Sequence, residues 1–470
     1  MTYDKTNAAS LFEHSKGLLH HTLAEAMLIL DPTFRPEDLE WKGKGGLGQL
    51  VEKYWYGYEP NNSPMPDFPE AGVELKTTPL KRLKNEDLAI KERLVCDMIN
   101  YMTIVDVPFE ESPFYRKCLL MLVLFYLHES GKEKRDMTFL YSVLWQLQGK
   151  DLIIMKHDYE IIVAKIRQGR AHELSEGDTM YLAACRKGET GASCSPQPFN
   201  EIAAPSRAFS LKPAYMRTLL DFARSSGGDW ATNTTLKTPE MELVSESDLQ
   251  TNTFEEILSN RILSFKGMDY REIANLLGME VSPKEKSRYA RVVKRILLEG
   301  LSKFEDAEEI RKAGIIVKTI RVEANGSIRE SMSFENIDYN EVFETENWID
   351  SRWYEIATSR FMFIVFRADA STPWGDETRY LLDDVIFWTM PSSDLVKAQL
   401  YWENIRKNVL DDTLQDSNNT FWRLEHRSLF HVRPKAQTSK DKYYSPLSGI
   451  EVPKKSYWFN RDYVAQIVSK

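Results

Sequence analysis

The sequence predicts an α/β protein made of two tandem domains, each a mixed β-sheet flanked by helices. Three observations support this prediction. Residues 8–30 carry apolar side chains at three- and four-residue spacing, which is typical of an amphipathic helix. Residues 73–78 alternate between apolar and polar side chains, as a half-buried strand does. The second half of the 470-residue chain repeats the order of motifs in the first half, and this length exceeds one typical core.

The composition is typical of a soluble globular protein with reduced cysteines. The chain is 42% hydrophobic and 28% charged, and its four cysteines form no CxxC pair. Structural disulfides are rare in the cytoplasm, so we expect a cytoplasmic protein. The most apolar run, residues 118–127, is about half the ~20 residues that a membrane-spanning helix needs. We therefore interpret that run as a buried strand and expect no membrane association.

The net charge of −9 argues against strong non-specific binding to nucleic acid, which normally requires a basic surface. Net charge describes the whole surface, however, and a cleft can be locally basic. The acidic balance therefore leaves specific DNA binding open.

The other elements of the first half follow from local patterns. The helix over residues 8–30 ends at Pro32. Further predicted elements are a short helix over 47–56, a loop over 60–66, a strand over 94–102, the strand over 118–127 with Lys117 at its start, and a helix over 158–170.

Residues 67–78 contain the most informative local pattern. In a strand that begins after Gly72, the side chains of Glu74 and Lys76 share one face, and Asp67 can bring a second carboxylate beside them. Two close carboxylates repel unless a cation lies between them, and oxygen ligands of this kind suit Mg²⁺. Lys76 could orient or deprotonate a water, or offset charge as a phosphodiester is attacked. Without further support, a solvated strand face with a chance ion pair is the simpler interpretation.

The flanking residues provide that support. The blocks at residues 46–52, 67–68 and 71–77, in this order and spacing, resemble the MutH family of DNA endonucleases. That family includes a mismatch-repair nickase and larger, two-domain restriction enzymes that cut at GATC. The resemblance implies a restriction-endonuclease-like fold with Mg²⁺ as the cofactor. The catalytic residues that it implies are Glu52, Asp67, Glu74, Lys76 and Lys117, with Asp67 and Glu74 as metal ligands.

The resemblance also implies DNA contacts in the first domain. Arg186 and Lys187 stand where the family's recognition strand ends, although the family's Arg-Pro-Lys-Ala segment is absent there. Lys212 and Tyr215 lie in a segment that is similar to the family's closing segment. They are predicted DNA contacts, with a core position as the alternative for Tyr215.

A change in composition predicts the domain limits. Gly, Ser, Thr, Asn and acidic residues dominate residues 225–253, which is typical of a linker. We therefore expect a catalytic domain over residues 1–224 and a second MutH-like domain over 254–470.

The second domain repeats the motif without its strand carboxylate. Residues 312–319 correspond to 70–77, so Ile316 replaces Glu74, Glu309 falls at the position of Asp67, and Arg295 falls near that of Glu52. A site that lacks the strand carboxylate should not hold Mg²⁺. Arg433 and Lys435, however, belong to an intact Arg-Pro-Lys-Ala segment and can donate to guanine O6 and N7. We expect a non-catalytic DNA-binding domain, with a purely structural scaffold as the alternative.

The function that the resemblance implies is that of a type II restriction endonuclease. We expect Mg²⁺-dependent double-strand cleavage at 5′-GATC-3′, with the second domain binding an effector DNA site. The expected partners are double-stranded DNA containing GATC and, genetically, a cognate DNA methyltransferase; a dimer on DNA is left open. The alternatives are a MutH-type repair nickase, which a chain of about twice that domain's length disfavours, and a non-catalytic sequence-specific DNA-binding protein.

Overall fold

The computed structural model describes residues 3–39, 46–61, 63–83, 86–129, 131–187, 193–228, 243–298, 307–372, 378–415, 417, 419–435 and 441–469. The chain forms two compact units. The first comprises Met1–Leu174, Asp178–Thr251 and Glu308–Gly314, and the second comprises Ser175–Gly177, Asn252–Ala307 and Ile315–Lys470. The limits predicted from the sequence remain predictions, and each unit also holds a short segment from the other half of the chain.

The first unit combines helices with parallel and antiparallel strands. Its helices are α1 (Ala8–Ser15), α2 (Leu23–Leu30), α3 (Leu47–Leu50), which continues as a π-helix (Val51–Trp55), α4 (Tyr101–Ile104), α5 (Pro113–Cys118), α6 (Gly149–Arg167), α7 (Pro213–Ser226) and α8 (Glu246–Thr251). Its strands are β1 (Glu74–Arg82), β2 (Leu88–Ile90), β3 (Leu94–Met98), β4 (Leu120–Leu127), β5 (Phe139–Gln146), β6 (Leu182–Arg186), β7 (Cys194–Gln197), β8 (Asn200–Pro205) and β9 (Arg207–Leu211).

The sheet around β1 positions the candidate site. Its strand order is β2-β1-β4-β5, with β1 parallel to β4 and Glu74 opposite Met121. A second sheet has the order β3-β9-β6, and β7 pairs with β8. Val73 and Leu75 belong to a buried core cluster with side chains of α1, α3 and β4. This packing leaves the opposite face of β1 available for polar side chains.

Several predicted boundaries differ from the structure. The strand over residues 118–127 begins at Leu120, and Lys117 lies instead in the last turn of α5, because Ser112 caps a helix that starts at Pro113. The predicted strand over 94–102 ends at Met98, after which Asn100 caps α4. The helix over residues 8–30 is two helices, because a 3-10 turn at Lys16–Leu18 separates them.

The predicted linker is partly helical. Helix α7 continues to Ser226, and α8 places Leu249 in the interior, so both ends of the predicted linker are helical. Residues 229–242 of the predicted linker lie outside the described residues.

Helix α12 (Glu308–Ala313) belongs to the first unit. It packs against α7, and Lys312 Nζ lies 2.8 Å from Oδ2 of Asp151, a residue of α6. The side chain of Lys312 is only 6% exposed, and this buried ammonium group is matched by a carboxylate.

The second unit repeats this order of elements. Its helices are α9 (Phe254–Leu263), α10 (Tyr270–Leu276), α11 (Arg288–Leu298), α13 (Tyr339–Glu344), α14 (Arg352–Ala357), α15 (Ser392–Leu410) and α16 (Arg461–Val468). Its strands are β10 (Ile316–Val322), β11 (Met332–Asn336), β12 (Phe361–Ala368), β13 (Tyr380–Trp388), β14 (Phe430–Pro434), β15 (Lys442–Tyr444), β16 (Glu451–Pro453) and β17 (Lys455–Phe459).

The correspondence extends to strand register. Strand β10 is parallel to β12, as β1 is to β4, and β12 is antiparallel to β13, as β4 is to β5. A second sheet, β11-β17-β14, accompanies the first sheet, β10-β12-β13. The mixed α/β architecture predicted from the sequence is therefore confirmed. Among the described residues, no helix is long and apolar enough to span a bilayer.

Candidate active site

A tight turn places the two acids of the site together. Gly72 has a φ of +66°, a conformation that glycine adopts without the steric cost that a Cβ imposes. The chain then folds back so that Phe68 N–H donates to the Val73 carbonyl at 2.9 Å. Asp67 therefore lies beside the first residues of β1, as the sequence predicts.

Asp67 and Glu74 are fixed by each other's segments. The backbone N–H of Asp67 donates to Glu74 Oε2 at 3.2 Å, and the N–H of Leu75 donates to Asp67 Oδ2 at 2.9 Å. Glu74 is only 2% exposed. The two carboxylates thus lie next to each other in a largely buried position.

Two lysines from separate elements approach the same carboxylate oxygen. Lys76 Nζ lies 2.5 Å from Glu74 Oε1, and Lys117 Nζ lies 4.0 Å from that oxygen. Lys117 reaches it from the end of α5, because the next strand, β4, runs parallel to β1. Although burial opposes its charge, Glu74 and then Asp67 hold the pKa of Lys76 above its usual value. Lys76 is therefore a charged donor at this site.

Glu52 faces the same group from the π-helix. Burial, followed by the negative charge of Asp67, raises the pKa of Glu52 to about 7, and Lys76 opposes this rise. Burial, followed by the charge of Glu74, raises the pKa of Asp67 to about 6. The mutual repulsion indicates a concentration of negative charge that a cation would relieve.

The residues of this group fit a divalent cation. Their ligand atoms are carboxylate oxygens, which suit Mg²⁺, an ion that keeps several waters when few protein ligands are available. The hydroxyl of Tyr58 is buried without a hydrogen-bond partner, and it is electrostatically coupled to Asp67, Glu52 and Glu74. Among the described residues, no three His, Cys, Asp or Glu side chains form a complete ligand set. Asp67 and Glu74, rather than a closed set of three protein ligands, are therefore the groups that would hold the cation.

Two residues of this neighbourhood were not predicted from the sequence. One is Tyr58, which follows the π-helix without any recognisable motif. The other is Asp97 on β3, whose pKa is raised by burial while Lys117 and Lys76 lower it. An acid in the apolar strand pattern of residues 94–98 is the one local signal that could have indicated Asp97.

The predicted DNA contacts of the first unit have different placements. Arg186 is exposed at the end of β6, and Lys187 beside it is half-buried, so both remain candidates. Tyr215 is fully enclosed and its hydroxyl donates to Asp151 at 2.5 Å, while the buried Lys212 donates to the carbonyl of Thr179. Both side chains are thus buried and hydrogen-bonded inside the unit, and for Tyr215 this is the core position that the sequence left open as the alternative. Their contact with DNA stays a prediction.

The residues of the second copy that correspond to Glu74, Asp67 and Glu52 do not form a metal site among the described residues. Ile316 packs against the core of the second unit. Glu309 lies in α12 of the first unit, where its Oε1 pairs with Lys150 at 2.6 Å. Arg295 is an exposed residue of α11. Arg433 is exposed and its guanidinium lies 5.5 Å from the ring centroid of Trp458, while Lys435 Nζ donates to the Phe334 carbonyl at 2.6 Å.

Comparison with known proteins agrees with this geometry. A sequence model of the family described as DNA mismatch repair enzyme MutH matches residues 56–158, which include Asp67, Glu74, Lys76 and Lys117. The type II restriction enzyme Sau3AI of Staphylococcus aureus is 31% identical over 456 residues, covering 89% of this chain and 87% of that enzyme. The DNA mismatch repair protein MutH of a Shewanella species is 28% identical over 225 residues, covering 46% of this chain and 95% of that protein. The similarity to a type II restriction enzyme along most of both chains, together with the acid–lysine group, shows that this chain belongs to the family of MutH-like type II restriction endonucleases.

Proposed function

We propose that this endonuclease cleaves both strands of DNA at 5′-GATC-3′ with Mg²⁺ as cofactor. The observation that carries the proposal is the convergence of Asp67, Glu74, Lys76 and Lys117 within one largely buried group. The MutH family, which the sequence resembles, includes both nickases and restriction enzymes. Conversion of supercoiled plasmid directly to linear DNA at GATC sites would support the restriction function, while accumulation of nicked circles would favour the nickase.

In this proposal Asp67 and Glu74 bind the cation, which supplies polarisation of the phosphate and neutralisation of charge. Lys76 donates to the attacking water or to the phosphate, since Glu74 holds it at 2.5 Å and favours its charged form. Lys117 offsets charge at the scissile phosphate from the end of α5. Glu52 and the hydroxyl of Tyr58 complete the polar boundary of the site. Arg186 and Lys187 are proposed DNA contacts of the same unit.

The second unit is proposed to bind a second GATC site as an effector. Arg433 is exposed on β14 and carries no carboxylate partner within ion-pair distance among the described residues, so it can donate to guanine. A second bound site could increase cleavage by raising the local DNA concentration or by stabilising the active form. We further propose a cytoplasmic enzyme whose genetic partner is a GATC methyltransferase.

Replacing Arg433 with Ala should weaken effector binding by roughly 1–3 kcal/mol, because a bidentate base contact is lost. Cleavage of plasmids with two GATC sites should then fall toward the rate for one site, without any change at the metal centre. The measurement is the cleavage rate of one-site and two-site plasmids, with and without an added short GATC duplex. Lys397→Ala, on the exposed face of α15, is the matched control. Equal wild-type rates on both plasmids, unaffected by the duplex, would leave the second unit without an effector role.

Replacing Lys117 with Ala should reduce the cleavage rate by about a hundredfold, because its ammonium group offsets charge near the reacting phosphate. The neighbouring exposed residue Arg116 provides the control, since Arg116→Ala changes the charge of the same helix by the same amount. Single-turnover cleavage of both variants separates the chemical step from DNA binding. If the cleavage rate of Lys117→Ala stays within a few-fold of the wild-type rate, then Lys117 has no catalytic role and is an ordinary charged residue at a helix end.

The affinity for Mg²⁺ should fall as the pH decreases from about 8 to about 6, because the cation must displace protons from its acids. The pKa values of about 7 for Glu52 and about 6 for Asp67 define this range. Calorimetric titration of the DNA-free enzyme with Mg²⁺ measures both the affinity and the protons released. Glu52→Gln should reduce the proton release near neutral pH. An affinity that is independent of pH over this range would contradict cation binding at these carboxylates.

A further inference from the structure

The second unit retains a lysine at the position of the catalytic strand lysine. Lys318 lies opposite Phe363 on β12, as Lys76 lies opposite Val123 on β4. Two residues earlier the first unit has Glu74, whereas the second unit has Ile316. The substitution removes the carboxylate that pairs with the lysine in the first unit but keeps the lysine itself.

A second ammonium group lies close to this lysine. Lys318 Nζ donates to the Ser333 carbonyl at 3.0 Å, and Lys435 Nζ donates to the carbonyl of the next residue, Phe334, at 2.6 Å. Lys318 Nζ also lies 5.0 Å from the ring centroid of Phe334. The loop after β14 and the strand β10 thus direct two positive charges to the same short stretch of β11.

The described residues provide no carboxylate within ion-pair distance of either ammonium group. Glu335, the acid on β11 that raises the pKa of both lysines, is engaged by Arg352, whose Nη2 lies 3.0 Å from Oε2 and whose Nε contacts Oε1. Burial, followed by the positive charge of Lys435, lowers the pKa of Lys318 to about 8, and Glu335 opposes this only in part. Two neighbouring positive charges therefore lack a matching negative charge.

A buried lysine of the same chain shows the contrast with the half-buried Lys318. Lys312 is held by carboxylates on two sides, Asp151 at 2.8 Å and Glu308 at 2.5 Å. A lysine that serves only the packing of the fold is expected to have such a partner, because an unmatched buried charge is costly. Lys318 instead has only carbonyl oxygen and an aromatic face.

We propose that Lys318 and Lys435 form a metal-independent binding site for a phosphodiester group of DNA. The site occupies the place of the metal centre in the first unit, with ammonium groups in the role of the cation. A backbone phosphate supplies the missing negative charge, and Ile316 avoids the repulsion that a carboxylate would exert on it. Lys435 thereby contacts the DNA backbone, while Arg433 remains the residue of this unit that contacts bases. The inference rests on the proposed function of the second unit as a DNA-binding domain.

The test is calorimetric titration of the full chain with a short GATC duplex in EDTA, at several KCl concentrations. The wild type should bind two duplexes per chain, and binding should not need metal. Lys318→Met should weaken one of the two binding events by about tenfold. It should also reduce the salt dependence of that event, measured as the steepness of log K against log[KCl], by about one, because one phosphate contact is lost. Lys435→Met should produce the same change in the same event. Lys397→Met should leave both events unchanged, since this residue lies on an exposed helix face.

The outcomes separate the inference from the proposed function. Binding of one duplex per chain would remove the second unit as a DNA-binding domain, and the inference with it. Two binding events whose salt dependence is unchanged in both variants would overturn the phosphate site alone. Lys435→Met keeps the test decisive if Lys318→Met fails to fold, because Lys435 is exposed and contributes little to the core.

Discussion

Glu74→Ala is expected to reduce DNA cleavage by at least about a thousandfold while leaving DNA binding nearly intact. The loss should be large because Glu74 has three tasks in the structure. It provides a proposed metal ligand, it pairs with Lys76 at 2.5 Å, and it accepts from the backbone of Asp67 at 3.2 Å. Its carboxylate is too deeply buried to contact bases, so sequence recognition should persist. Binding in EDTA should even tighten, because a negative charge leaves the DNA groove.

The matched control is Glu70→Ala. Glu70 is an exposed acid of the same turn, four residues before Glu74, and its removal changes the net charge equally. Cleavage rates with Mg²⁺ and binding constants without it should be measured for both variants. Cleavage by Glu74→Ala at the rate of Glu70→Ala would mean that β1 does not carry the active site.

Lys76→Ala is expected to lower the rate of the chemical step by about a hundredfold or more, because a positioned charge next to the phosphate is lost. The metal affinity should change much less, and the direction of that change is informative. Without Lys76, the carboxylates of Glu74 and Asp67 lose a competing positive charge, so Mg²⁺ should bind equally well or more tightly. A structural role alone would predict loss of metal binding and activity together.

Lys81→Ala on the same strand is the control for this change. Lys81 lies five residues along β1 and therefore on the other face of the strand. Single-turnover rates over a range of Mg²⁺ concentrations distinguish a slower chemical step from weaker metal binding. If saturating Mg²⁺ restores Lys76→Ala to the rate of Lys81→Ala, then Lys76 only supports metal binding.

The local geometry of the site could be predicted from the sequence because it depends on backbone periodicity. A strand places Glu74 and Lys76 on one face whatever surrounds it, and Gly72 permits the turn that brings Asp67 alongside. The repeat in the second half could be recognised from the order of its motifs. The parallel pairing of β10 with β12 repeats that of β1 with β4. The motif within each copy involves residues that are close in the chain.

Features that depend on distant residues needed the tertiary structure. The sequence suggests that Lys117 begins a strand, but it ends a helix, and only the parallel pairing of β1 and β4 brings it to 4.0 Å from Glu74. Tyr215 was predicted as a DNA contact and is enclosed instead, because Asp151 accepts its hydroxyl. Burial and charge partners are properties of the folded chain, and they have no signature in local spacing.

The sequence by itself determined the α/β class, the internal repeat, the acid–lysine motif and the loss of Glu74 from its second copy, because residue identity and period are local information. Only the tertiary structure decided that burial, followed by the charge of Asp67 for Glu52 and of Glu74 for Asp67, raises the pKa of Glu52 to about 7 and that of Asp67 to about 6. It alone also showed that Lys318 lies near Lys435 and has no matching carboxylate among the described residues. The physical reason is that electrostatic free energies depend on distance and burial, which the fold sets by joining segments far apart in the chain.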